Sequence, residues 1–185
     1  MARAKAKTRS RKTAAKDDAI ALLKADHRQV EEWFGQFEKA RDANKKQMLA
    51  TQICNALKVH ATIEEEIFYP AFLDATEEKD IHHEAEVEHD GAKKLIAEIE
   101  ASSPDDDYFE AKVSVLSEMI KHHVKEEEGP GGMFSKSRDS DMDLDELGQQ
   151  LAARKAELEG ESDEGLDEPP PAGGKSRSSE RRQHG

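Results

Sequence analysis

Four stretches of this chain place apolar residues at alternating steps of three and four, with only short breakers between them. They run over about residues 17–43, 45–73, 77–101 and 105–128. That spacing marks one face of an α-helix. Connections this short favour antiparallel neighbours, so the pattern predicts an all-α fold, an up-down-up-down antiparallel four-helix bundle. The breaks have local causes. Pro70 reads as the close of the second helix, SSPDDD puts a proline and acids at the start of the fourth, and GPGG at Gly129 to Gly132 ends it. An additional C-terminal helix is predicted over about 143–158, with Leu144, Leu147, Leu151 and Leu158 on or near one face, packed outside the bundle.

At 185 residues the chain suits one domain with tails. The expected division is a disordered basic arm over 1–16, the bundle over 17–135, a linker and accessory helix over 136–160, and a disordered tail over 161–185. The arm carries seven of the 28 basic residues and no acid, so the body is more acidic than the formal net charge of -13 shows. Weak contact of the arm with nucleic acid is an expectation of that charge. There is no apolar signal-peptide core and no run long enough to cross a membrane, which points to a cytoplasmic protein. Cys54 is the only cysteine, so no intrachain disulfide forms, and it reads as a small apolar filler.

Each apolar stripe is interrupted. On the second helix it runs Ile53, Leu57, His60, Glu64, Ile67; on the first, Ile20, Leu23, His27, Val30, Phe34. The third offers Ala85, His89, Ala92, Ile96, Ile99, and the fourth Val113, Leu116, Ile120, His123, Glu127. A carboxylate buried without a partner costs several kcal/mol or shifts its pKa until it is neutral, so these positions need a common explanation. Residues four apart on a helix are rotated by only about 40° and lie ~6 Å apart along the axis, so His60 and Glu64 reach one point beside it, and His123 and Glu127 repeat the arrangement. Imidazoles and carboxylates converging from facing helices are how a bundle builds a dinuclear metal site, with carboxylates bridging and imidazoles terminal.

The pieces ADHRQVE around His27, HATIEEEIFYP from His60, EVEHDGAKKLI around His89 and KHHVKEEE around His123 resemble the hemerythrin-like, HHE cation-binding family of di-iron helical bundles. The likeness spans about residues 18–135. It implies two non-haem iron ions with an oxo or hydroxo bridge, His27, His60, His89 and His123 as terminal ligands, and Glu64 and Glu127 as bridges. It implies in turn a protein that binds or reacts with O2, nitric oxide or peroxide, served by an electron donor, in oxidative or nitrosative stress or iron homeostasis. Weak oxidoreductase activity and an iron-handling or sensing module without turnover both fit.

The sequence departs from that family's oxygen carriers, which place two histidines four apart on the third helix; here Ala85 stands before His89. The chain therefore resembles the four-His, two-Glu branch, linked to nitric oxide, peroxide and iron handling. GPGGMFS after the fourth helix is a second departure and leaves Glu127 in the last helical turn. His122 with Glu126 offers an alternative to His123 with Glu127, along a stripe of Val115 and Met119, and His123 is preferred. Glu86 could reach the site from the third helix, although a solvated face suits it better. His82 and His83 read as exposed, Glu65, Glu66 and Glu128 as outer-face charge, and Tyr69 as a donor behind the ligands.

Overall fold

In the computed structural model, residues 18–164 are described; the basic arm and residues 165–185 lie outside them. Among the described residues there are helices and no strands. α1 spans Ala19–Lys39, α2 Ala43–Ile63, α3 Tyr69–Thr76, α4 Lys79–Glu100, α5 Phe109–Glu128, α6 Met133–Arg138 and α7 Leu144–Glu164, with a π-helical turn, Glu64–Phe68, joining α2 to α3. Aspartates set three starts. Asp18 accepts from the Ala21 N–H at 2.8 Å, Asp42 from Lys45 at 2.9 Å, and Asp143 from Glu146 at 2.9 Å. Each satisfies a backbone donor that the first helical turn leaves without a partner.

Two apolar clusters fill the bundle. One holds Val30, Phe34, Ile53, Leu57, Ile96, Leu116 and Ile120; the other holds Ile20, Leu23, Ile63, Phe68, Phe72, Ala85, Met133 and Leu151. α1 passes from the second cluster to the first, α2 back again, α4 from second to first, and α5 runs through the first toward Met133 of the second. That alternation is the up-down-up-down order. α7 lies outside, against α1, α2 and the π turn, and seals the second cluster with Leu147 and Leu151.

Pro70 does not end the second helix. The rod continues to Thr76, where Glu77 turns left-handed at φ 57° and its N–H bonds the Leu73 carbonyl. The reason is the π turn, in which the Tyr69 N–H bonds Glu64, five residues back. Pro70 then stands where the bonding register returns to four, a position at which a missing N–H disrupts little. The extra residue also shifts the buried face by one. Phe68 and Tyr69 are buried, while Ile67, expected on the stripe, is only half-buried. Two further departures are α6, which the sequence pattern did not anticipate, and the reach of α7 to Glu164, so that the boundary expected at 160 falls inside it.

Candidate metal centre

The polar residues that interrupt the four stripes occupy one layer between the two apolar clusters. His27, His60, Glu64, His89, His123 and Glu127 are all buried, Glu64 completely and Glu127 to 2 % exposure. His27 Nε2 lies 3.0 Å from His60 Nε2, and His89 Nε2 lies 3.3 Å from His123 Nε2. The carboxylates link the two pairs. Glu64 Oε2 is 3.2 Å from His60 Nε2 and 3.4 Å from His89 Nε2, while Glu127 Oε2 is 3.5 Å from both His27 Nε2 and His123 Nε2.

Tyr69 enters because of the π turn. Five residues on an ordinary α-helix subtend about 140°, but a turn of ~4.4 residues brings positions five apart back onto one face. Tyr69 Oη accordingly lies 3.4 Å from Glu64 Oε2, 3.2 Å from Glu127 Oε1 and 3.2 Å from His89 Nε2. Phe134 of α6, from the same apolar cluster as Tyr69, stacks on the His27 ring at 5.9 Å between centroids.

Behind each imidazole stands an acid from an adjacent helix. Nδ1 of His27 is 2.9 Å from Glu128, that of His89 is 2.8 Å from Glu65, and that of His123 is 2.8 Å from Glu88. Asp26 stands 3.6 Å behind His60 Nδ1, at ion-pair rather than hydrogen-bond range. A basic side chain faces each acid in turn: Lys155 of α7 on Asp26, Lys93 on Glu65, the His122 imidazole at 3.2 Å on Glu88, and Arg28 with Lys24 on Glu128. Glu65 and Glu128 are therefore not plain outer-face charge. Glu66 is, paired with Arg154 at 2.7 Å. Asp26 and Glu88 went unread in the sequence; each is the chain neighbour of an inward histidine, which is the signal they offer.

The electrostatics follow from the crowding. Burial, with His60 alongside, pushes the His27 imidazole down to about 4. Burial alone would lower His60 as well, but Glu64 and Asp26 reverse this and raise it to about 10. Burial and the charge of Glu64 push Glu127 up to about 8, whereas Glu64, despite its burial, is held well below the usual range by His60 and His89. Burial and the neighbouring carboxylates raise the Tyr69 phenol.

These residues fit a cation. An imidazole that donates Nδ1–H to a carboxylate has its Nε2 lone pair free, so the Nε2 atoms of His89 and His123, facing one another at 3.3 Å, repel unless positive charge sits with them. Glu64 Oε1 and Glu127 Oε2 are also buried without a hydrogen-bond partner. His27, His60, Glu64 and Glu127 form one convergent donor set, and Glu64, His89 and His123 another. His122 is 59 % exposed in its side chain and Glu126 is exposed, so neither joins the cluster, and Glu86 instead faces His82 at 3.5 Å.

The fold and this layer define a metal-binding helical bundle. The chain belongs to the hemerythrin HHE cation binding domain family, whose sequence profile matches residues 18–130. It is 32 % identical over 107 residues to a protein of Nostoc sp. (strain PCC 7120 / SAG 25.82 / UTEX 2576) described as a DNA nickase; the match covers 58 % of this chain but only 30 % of that protein. The crystal structure of a hemerythrin HHE cation binding domain-containing protein from Mycobacterium kansasii, an Rv2633c homolog, superimposes with a TM-score of 0.68 at 22 % identity, covering 80 % of this chain and 91 % of that one. That likeness shows a shared fold. No helix among the described residues is long and apolar enough to cross a membrane.

Proposed function

We propose that the chain is a non-haem di-iron protein of the cytoplasm that binds or reacts with dioxygen, nitric oxide or peroxide. His27 and His60 would hold one ion and His89 and His123 the other, with Glu64 and Glu127 placed to be shared between them. One observation carries this reading: each carboxylate lies 3.2 to 3.5 Å from one imidazole of each pair, the placement a bridging ligand needs.

Bound iron would supply a one-electron change of charge at each ion and, with six protein ligands shared between two ions, positions open to a small molecule. The chain supplies the rest. Asp26, Glu65, Glu88 and Glu128 fix the imidazole rings and raise their basicity. The Tyr69 hydroxyl holds a proton beside Glu64 and Glu127. A cavity of about 20 Å³ walled by Val30, Leu57, Ala92, Ile96 and Ile120 abuts the four histidines, with room for one small neutral guest.

The test is metal analysis of protein purified without oxygen, followed by gas reactivity. About two irons per chain are expected, fewer in His60→Ala and Glu64→Ala. The reduced protein should bind nitric oxide and oxidise in air; recovery of intact dioxygen under vacuum would assign oxygen carriage instead. Iron handling or sensing without turnover is the second reading. Peroxide consumption with a supplied electron donor separates the two. The description of the Nostoc relative gives reason to test the 1–16 arm for salt-sensitive DNA binding.

A further inference from the structure

The turn from Gly129 to Gly132 has no part in the ligand set, yet its geometry is tightly constrained. Gly131 adopts φ 76°, in the left-handed region. A Cβ on Gly132 would stand 2.1 Å from the Glu126 carbonyl oxygen and 2.8 Å from that of Glu127; one on Gly129 would stand 2.6 Å from the Lys125 carbonyl. The turn therefore lies directly on the end of α5, where only glycine fits at 129 and 132, and a space remains between it and α4.

That space is a cavity of about 390 Å³ between the turn and α4. Glu84 and Glu126, both exposed, line it together with Glu88, and among the described residues Lys125 is the one lysine or arginine that lines it. His123 and Glu127, both buried, also line it, and Glu127 Oε2 has no hydrogen-bond partner. An acidic passage thus reaches two residues of the buried layer, His123 and Glu127. The small cavity beside the histidines has the opposite character: apolar walls strip water from an ion without replacing it, which suits a neutral molecule. The cluster of His82, His83 and Glu86, in which His82 is half-buried rather than exposed as its sequence position suggests, is a less direct approach, since the Tyr69 ring packs on His82 and its hydroxyl lies beside Glu127.

We propose that the cavity under the glycine turn is the port through which hydrated divalent iron reaches the buried layer, with Glu84 and Glu126 as the groups that capture it. This rests on the di-iron reading. Carboxylates lining a cleft with low-dielectric walls focus their field and raise the local concentration of cations, an effect that salt screens.

The experiment mixes metal-free full-length protein anaerobically with Fe2+ or Co2+ in a stopped-flow spectrometer at low and high salt. Glu84→Gln/Glu126→Gln removes two exposed charges without changing side-chain size. Loading is expected to slow by about 3- to 10-fold at low salt and to lose most of its salt dependence, with the final metal content unchanged. His83→Ala/Glu86→Gln, at the competing cluster, is expected to load like the parent. Loading of the Glu84/Glu126 variant at the parent rate, or slowing in the His83/Glu86 variant instead, would overturn the proposal. Failure of the di-iron reading would look different, since neither parent nor variants would retain metal after desalting.

Discussion

Raising the pH of the metal-free protein from 7 to 9 is expected to destabilise it by about 3 to 4 kcal/mol, and bound metal should abolish that loss. Two buried protons are responsible. Glu127 is raised from an ordinary 4.5 to about 8, and His60 from 6.5 to about 10. Both folded values exceed the unfolded ones, so each group contributes stability that is fully present below its unfolded pKa and is lost as pH rises through its folded pKa. Between pH 7 and 9 folded Glu127 passes from mostly protonated to mostly ionised while the unfolded side chain carries almost no proton, a loss of about 1 kcal/mol. Folded His60 keeps most of its proton across the window while the unfolded imidazole goes from about a quarter protonated to almost none, a loss of about 2 to 3 kcal/mol. His27 works in the other direction: its folded pKa of about 4 makes its contribution present above 6.5 and lost only as pH falls toward 4. Urea unfolding midpoints at three pH values, with and without metal, measure the sum. A pH indicator should also record about two protons released from these residues on loading at pH 7 and about one at pH 9. Glu127→Gln should remove the difference between those counts. A metal-free protein equally stable at pH 7 and 9 would refute the assignment of folded-state protons to Glu127 and His60.

Tyr69→Phe deletes the hydroxyl beside Glu64, Glu127 and His89, and is expected to cost about 1 to 3 kcal/mol in urea unfolding of the metal-free protein while leaving metal content intact. Lys155→Met and Asp26→Asn should each weaken metal affinity, by about 10- to 100-fold for Asp26, because His60 loses the acid behind it or that acid loses its cation; competition with a chelator reads this, and unchanged affinity in both would show α7 to be only a cover. His122→Ala should leave metal content unchanged and His123→Ala should lower it, and the reverse result would restore the alternative register on α5.

The residues now found in the buried layer were legible because a helix repeats: a polar residue at a step of three or four within an apolar stripe must face inward whatever the neighbours are. Pro70 misled because the same rule presumes four-residue bonding throughout. A five-residue turn absorbs the proline, extends the rod by a further helix and swings Tyr69 onto the face of Glu64. Nothing in EEEIFYP marks that turn apart from the mismatch between an inward Glu64 and a helix that should have stopped. The α6 helix escaped notice because six residues are too few to show a period, although its Phe134 stacks on His27.

The acids behind the imidazoles were missed for a different reason, and their arrangement bears on how the site holds together. Each serves a neighbouring helix rather than its own: Asp26 of α1 backs His60 of α2, Glu65 of the π turn backs His89 of α4, Glu88 of α4 backs His123 of α5, and Glu128 of α5 backs His27 of α1. A periodicity argument treats one helix at a time, so a residue about 100° from the inward face reads as solvated. In the bundle that flank is the seam between helices. The ring closes because every acid adjoins an inward residue in sequence: Asp26 beside His27, Glu65 beside Glu64, Glu88 beside His89, Glu128 beside Glu127. Each helix thus presents a buried polar residue to the centre and, one residue away, the acid that backs the next helix's imidazole. Any rotation of one helix that moved its own ligand would also withdraw the acid from its neighbour's imidazole. The geometry of the buried layer and helix packing are therefore one constraint, and under the proposed metal assignment substitutions in the outer acids should disturb metal binding on the adjacent helix before they disturb their own.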